Sequence, residues 1–297
     1  MLLKLFALFL RNIVKINDFN MSGKHKSHIF FSILIIGVIA IAFTLFTSVN
    51  TKSSSKKSTR LENKISTNKI TKFRKAVFKI PTKDNKVIFN HHPKCFGIDV
   101  SHYQENINWS KVRKINDLAP VSFVMMRATY GKNKVDEKFS QNWKEAKKQN
   151  LIRGAYHYYR PNEDSNTQVR NFISNVRLQK GDFPPILDVE KAPKRRQMSA
   201  KKFEKGLLNW LKKVELHYGV KPIIYTSDGF LKHHLTNEEF KNYTIWIANY
   251  NDVKEPNHKN WKFWQFSDKG KVEGIPTKVD LNVFNGNDLH LTSLLIK

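Results

Sequence analysis

The chain has a single cysteine, Cys95, so it can form no internal disulfide and no cysteine-based metal cluster. That cysteine lies beside the strand-like run FGIDVS with no Cys–His pattern around it, and reads as a small buried hydrophobe rather than a nucleophile. No lipobox surrounds it. Acidic residues are scarce too, 25 against 52 Lys and Arg, giving a formal charge of +27. About half of the excess, roughly +14, precedes residue 94. Such a charge draws an anionic partner such as nucleic acid, acidic lipid or a cell-wall polymer. A generally Lys-, Asn- and Ile-rich composition produces the same number without a dedicated patch. There is no zinc finger, arginine-rich helix or RNP-like aromatic motif, so no nucleic-acid partner is expected. Also missing are a Gly-rich phosphate loop, GxSxG and HExxH, which leaves nucleotide, serine-hydrolase and zincin chemistry without support. No internal repeat is visible.

One long hydrophobic run is present. Ile29–Thr47, IFFSILIIGVIAIAFTLFT, carries no charge and is long enough to cross a hydrocarbon layer of roughly 30 Å. Lys24 and Lys26 precede it and favour a cytoplasmic segment 1–28, although Lys52, Lys56, Lys57 and Arg60 follow. A cleaved signal peptide, cut near Ala40-Ile41-Ala42, is the competing reading; the run continues past that point, which favours an uncleaved anchor. Met21 opens a segment that looks like an ordinary signal-anchor N-terminus, so translation is expected to start there rather than at Met1. Residues 48–93 are rich in Lys, Ser, Thr and Asn and are expected to form a basic flexible linker, ending in a short extended piece around Val87-Ile88-Phe89. These features predict a single-pass membrane protein with its folded domain on the extracytoplasmic side, or a secreted one if the signal is removed.

From Cys95 onward strands and helices alternate. FGIDVS, VSFVMMRATYG, LIRGAYHYYRP, PPILDVE, KPIIYTS, YTIWIANY and KFWQFS read as strands. Helices are expected near Trp109–Ile115, over EKFSQNWKEAKKQN and DSNTQVRNFISNVRL, and over SAKKFEKGLLNWLKKVELHYG, which a Ser opens and Gly219 closes. This pattern argues for a parallel sheet, closed or doubly wound, with the active site at the C-terminal strand ends. Asp99, Arg127, His157, Asp188, Glu190 and Tyr225 fall at such ends. His157 is expected to be a hydrogen-bonded interior residue rather than a base.

The stretch FPPILDVEK, residues 183–191, sets Asp188 and Glu190 two apart at the end of an apolar strand. Residues so spaced project to one side, about 6–7 Å apart at the backbone. Two carboxyl groups that close raise at least one pKa and cost stability. A strand-end salt bridge to Lys191 or Arg127 would explain them; so would chemistry. With Asp99 and Asp280, four acids share one expected rim. A carboxyl pair is the minimum machinery for cleaving a glycosidic bond, and Tyr156, Tyr225, Trp246, Trp261 and Trp264 near strand ends suit sugar stacking, or equally core packing.

Seven ordered blocks, FGIDVSHYQENINWSKV, FVMMRATYGKNKVDEKF, GAYHYYRP, PPILDVE, PIIYTS, WIANY and FWQFSDKGKVEGIPTKVDLNVF, resemble the lysozymes of glycoside hydrolase family 25 over about Phe96–Phe284. The resemblance implies an irregular TIM-like β/α barrel with fewer helices than strands, here within residues 94–297. It implies an N-acetylmuramidase acting on the β-1,4 bond between N-acetylmuramic acid and N-acetylglucosamine in peptidoglycan strands, with retention and without metal or other cofactor. By this likeness Glu190 is the acid/base and Asp188 assists the substrate's 2-acetamido group. Asp99 and Asp280 line the cleft, and Tyr156, Trp246 and Trp264 match aromatic substrate positions; Tyr225, by its place at a strand end, is expected to bind substrate with them. A monomer is expected. Glu105-Asn106 and Lys148-Gln149-Asn150-Leu151 depart from the family's usual connections, which bears on substrate fit. A non-catalytic, membrane-tethered glycan-binding barrel remains the alternative, one that would be free to lose the four acids.

Overall fold

The computed structural model describes residues 82–194, 196–251 and 254–297. The expected membrane span and the linker up to residue 81 lie outside the described residues. Among the described residues no helix is long and apolar enough to cross a membrane.

Eight strands close into a barrel: β1 (Phe96–Val100), β3 (Ala119–Tyr130), β5 (Ile152–Tyr158), β6 (Ile186–Asp188), β7 (Ile223–Ser227), β8 (Thr244–Ala248), β9 (Phe263–Gly270) and β10 (Val279–Phe284). Hydrogen bonds run in that order around the ring and return from β10 to β1, while the two-residue strands β2 (Lys114–Ile115) and β4 (Lys134–Val135) flank β3. Neighbours are parallel except at β10, which is antiparallel to both β9 and β1. That break in the α/β rhythm lets β9 return directly into β10 without a crossover helix.

Helices are fewer than strands among the described residues: α1 (Lys83–His91), α2 (Phe139–Lys148), α3 (Ser165–Asn175), α4 (Ala200–Tyr218), α5 (Asp228–His234) and α6 (Asp288–Ser293). The longest, α4, follows from its sequence. Phe203, Leu207, Leu208, Trp210, Leu211 and Val214 recur at helical spacing and are buried, and Ser199 accepts from the Lys202 amide at the N-cap. Gly219 ends it in the left-handed conformation, φ 69°, that glycine adopts without steric cost.

Side-chain alternation divides two cores. Ile98, Val124, Met126, Ala155, Leu187, Val189, Ile224, Ile247, Trp264, Phe266 and Leu281 face the outer layer with the helices. Phe123, Met125, Tyr156, Phe183, Ile186, Ile223, Tyr225, Trp246, Phe263 and Phe284 form a second cluster that fills the barrel. Its floor is aromatic, with Phe123 edge-on to Phe183 and Phe263 at centroid separations of 5.7 and 5.6 Å. Gly97 makes room for it, since a Cβ there would lie 2.3 Å from the Phe123 ring.

Two expectations change. Trp109–Lys111 is a single 3-10 turn followed by β2, not a helix; Trp109 is anchored instead by its Nε1 donating to Asn142 Oδ1 at 3.2 Å. The end of the expected linker is not extended: residues 83–91 form α1, capped by the Thr82 side chain. Val87 and Ile88 are buried, and His91 sits edge-on to Trp261 and Trp264, so tertiary packing on a flank poor in helices supplies what the local sequence lacks.

Candidate active site

β6 is only three residues long, yet it and the residue pair after it position the central carboxyls. Leu187 and Val189 turn outward into the core, fixing Asp188 and Glu190 toward the barrel mouth. Val189 N–H donates to Tyr225 O at 2.9 Å and Thr226 Oγ1 donates to Val189 O at 2.7 Å, so pairing with β7 continues past the strand's formal end. The mouth opens as a cleft of ≈ 600 Å³, lined by Asp99, Asp188, Glu190 and Asp280 together with Tyr156, Tyr225 and Trp246.

Asp99 lies at the centre of a directed hydrogen-bond network. Its Oδ2 accepts from Gln265 Nε2 and Asn282 Nδ2, both at 2.7 Å. The amide orientations follow from the other ends. Trp246 Nε1 donates to Asn282 Oδ1 at 2.8 Å, and the hydroxyls of Tyr225 and Tyr250 donate to Gln265 Oε1 at 2.7 and 2.5 Å. Each amide oxygen is thereby occupied by a donor, leaving its NH₂ for the carboxylate. Burial pushes the Asp99 pKa up, and the two amide donors pull it back. Asp280, opposite Asp99 across the β1–β10 pair, is raised by burial and then by the Asp99 charge.

Asp188 is poorer in partners. It is 5% exposed, and its Oδ1 is buried with no hydrogen-bond donor among the described residues. Burial first, then the Glu190 and Asp99 charges, hold its pKa well above the carboxylate range. Glu190 is raised by burial, while Lys191 opposes the shift. The neighbouring acids, expected to raise Glu190, act instead on Asp188. Neither acid makes an ion pair among the described residues, so the salt-bridge explanation lapses. Arg127 pairs with Asp136 at 2.9 Å instead.

Trp264 is placed differently from expectation. It is 0% exposed, in the outer core rather than the cleft, and its Nε1 donates to Asn249 O at 2.7 Å. Trp261 is likewise buried beneath α1. Trp246 faces the cleft but is 1% exposed and held by Asn282, so it forms floor rather than a stacking face. The exposed aromatic is Tyr103, 68% accessible at the cleft wall with its ring 4.2 Å from that of His102. Nothing singled it out beyond its place after the GIDVS block. Gln265 and Asn282 were missed as well, though each stands two residues from another inward position.

His157 is interior and neutral, bonded to Thr129 Oγ1 at 2.7 Å and Gln168 Oε1 at 3.1 Å, its pKa lowered by burial to about 4. Cys95 is buried, its Sγ donating to Asp288 Oδ1 at 2.9 Å. Among the described residues no group of three or more His, Cys, Asp and Glu side chains is arranged to hold a metal ion.

The chain is similar to known proteins. Residues 98–275 match the model of glycosyl hydrolases family 25. Lysozyme M1 of Streptomyces globisporus is 34% identical over 212 residues, covering 67% of this chain and 70% of that protein. An uncharacterized protein of Escherichia coli, YegX, is 43% identical over 192 residues, 64% of this chain and 69% of its own length. The crystal structure of a bacterial lysozyme from Streptomyces coelicolor superposes with a TM-score of 0.62 at 30% identity, covering 69% of this chain and 98% of that one. A family 25 glycosyl hydrolase from Bacillus anthracis gives a TM-score of 0.60 at 30% identity, covering 68% and 94%. The chain belongs to glycosyl hydrolases family 25 and is a glycoside hydrolase of the lysozyme type.

Proposed function

We propose that this protein is an N-acetylmuramidase that hydrolyses the β-1,4 bond between N-acetylmuramic acid and N-acetylglucosamine in peptidoglycan. The observation that carries the reading is the orphaned Oδ1 of Asp188, buried inside a cleft beside a second carboxyl group. Leaving a buried acceptor unpaired costs about 1–3 kcal/mol. The N–H of a sugar's 2-acetamido group is a donor of the right kind to satisfy it.

That contact also organises the proton. An acetamido N–H donating to Asp188 favours its anionic form and lowers its hold on the shared proton, which then rests on Glu190. Glu190 protonates the departing glycosidic oxygen as the bond to the anomeric carbon breaks. The acetamide oxygen, oriented by Asp188, closes on that carbon and stabilises the oxocarbenium-like charge. Glu190, now anionic, removes a proton from the water that opens the ring so formed, with retention at the anomeric carbon. Asp99 keeps its charge through two amide donors and holds the cleft's potential negative where positive charge develops, while Asp280 across from it, raised to about 9 by burial and the Asp99 charge, stays protonated near neutral pH. Tyr156 and Tyr225 border the sugar site.

The apolar run Ile29–Thr47 supports a membrane anchor, with the barrel on the extracytoplasmic side where peptidoglycan lies. Membrane fractionation with protease protection tests that placement; recovery in a soluble cytoplasmic fraction refutes it. The activity is tested by incubating purified peptidoglycan with the protein and assaying reducing ends, and no release above a buffer control refutes it.

A further inference from the structure

One sector of the cleft carries basic residues beside the acids. Where β3 and β5 leave the barrel and the chain passes Glu190, the lining residues are Arg127, Tyr130, Tyr158, Arg160 and Lys191. Arg127 and Arg160 both lie over the Tyr130 ring, their guanidinium carbons 5.2 and 5.1 Å from its centroid, and Lys191 Nζ lies 6.0 Å from the centroid of Tyr158. The three cations are not equally engaged. Arg127 is committed to Asp136 at 2.9 Å. Arg160 touches Glu163 at 3.3 Å, but 43% of its side chain remains exposed. Lys191 is exposed and takes part in none of the ion pairs among the described residues. The bond-breaking steps above use neither Arg160 nor Lys191.

We propose that Arg160 and Lys191, seated on Tyr130 and Tyr158, form a subsite for a carboxylate carried by the glycan beside the bond to be cleaved. The proposal rests on the muramidase reading. In such a strand every second sugar bears an acid-terminated substituent, either a lactyl carboxylate or a peptide ending in carboxylates, while the sugars between are neutral. The charged carboxyls of the cleft disfavour an anion beside them, whereas Arg160 and Lys191 favour one. Cations confined to one side therefore admit the strand in one register only, with the acid-bearing sugar against Arg160 and Lys191 and its anomeric carbon at Glu190. A neutral glycan has no use for them. The aromatic seats restrict each cation to the cleft face, so less freedom is lost when the carboxylate binds.

The test compares three substrates with the full-length protein: glycan strands stripped of peptide, the same strands with their carboxyl groups amidated, and strands retaining peptide. Wild type is expected to favour a carboxylate-bearing strand over the amidated one by about ten-fold or more in kcat/KM, the order of one charge-assisted hydrogen bond. The ratio should fall close to one in Arg160→Gln/Lys191→Gln, and Arg160→Lys should retain most of it. Because the readout is a ratio, a general loss of folding or turnover cancels. Lys191→Gln alone, at an exposed position that folding tolerates, should lower the ratio about three-fold. Preference for the stripped strand identifies the lactyl carboxylate, and preference confined to the peptide-bearing strand identifies the peptide. A wild-type ratio near one, or a ratio unmoved in the double variant, overturns the subsite while leaving the muramidase reading intact. Failure of wild type to cleave any of the three strands overturns both.

Discussion

Asp99 and Asp280 stand directly opposite each other across the antiparallel β1–β10 pair, two acids where like charges destabilise a sheet. Both have raised pKa values, Asp280 through burial and then the Asp99 charge. A carboxyl raised in the folded state binds its proton there more tightly than in the unfolded chain. Its contribution is therefore most favourable at low pH and is lost as pH climbs from the ordinary carboxylate value through the raised one. Asp280→Asn removes that penalty. Its Tm should exceed wild type at pH 9 by a few degrees, at about 2–4 °C per kcal/mol for a domain of this size, and match it near pH 4. Calorimetry at the two pH values checks this; an equal difference at both would contradict it.

Asn282 is the hinge of the Asp99 network, accepting from Trp246 and donating to Asp99. Asn282→Leu strands a buried indole N–H and removes one of two donors from a buried carboxylate. The expected loss is about 1–3 kcal/mol of stability, read from denaturant midpoints. Asn282→Asp should not restore it, because a third carboxylate beside Asp99 and Asp280 repels both.

Parity along the strands explains what could be read from sequence alone. Asp188-x-Glu190 and Asp280-x-Asn282 each place two polar groups on one face, and an apolar residue between them fixes which face. The same rule, applied to Phe263-Trp264-Gln265, puts Trp264 outward once Gln265 is known to face in, but the sequence alone does not say which of the two does. Residues 83–91 were illegible for another reason: so short a helix has little stability of its own and depends on Trp261 and Trp264, about 170 positions away. That burial raises both Asp188 and Glu190 follows from their place in the fold, which spacing does not encode.

The contacts of α1 carry a prediction of their own. Removing residues 82–93 exposes the face on which Val87, Ile88 and His91 pack. Burial of two aliphatic side chains corresponds to about 3–5 kcal/mol at most. A protein beginning at residue 94 should therefore unfold at a lower denaturant concentration than one beginning at residue 82. Identical midpoints would show that α1 is a passenger.

Asp188→Asn replaces a buried, raised carboxyl with a neutral isostere. Folding should be preserved or improved at pH 7, and activity on peptidoglycan should drop by at least about 100-fold, because the amide cannot orient the acetamide as an anion does. Far-UV circular dichroism and reducing-end release check the two halves separately. A folded, fully active variant would remove Asp188 from the mechanism.

Glu190→Gln should likewise fold and lose at least about 100-fold, the scale of general acid catalysis. In wild type, activity should fall as pH rises through the elevated Glu190 pKa, since the acid must enter the reaction protonated. Lys191→Gln, by removing the charge that opposes the shift, should move that alkaline limb to higher pH. A limb that stays in place would separate Glu190 from the titration.

The most direct measurement is the identity of the new chain end. Purified peptidoglycan is digested with wild type and with Glu190→Gln, the products are reduced with borohydride, and the fragments are identified by mass spectrometry. Wild type should yield reduced N-acetylmuramic acid at the cleaved ends, and Glu190→Gln almost none. Reduced N-acetylglucosamine at those ends, or equal release by both proteins, would contradict the account.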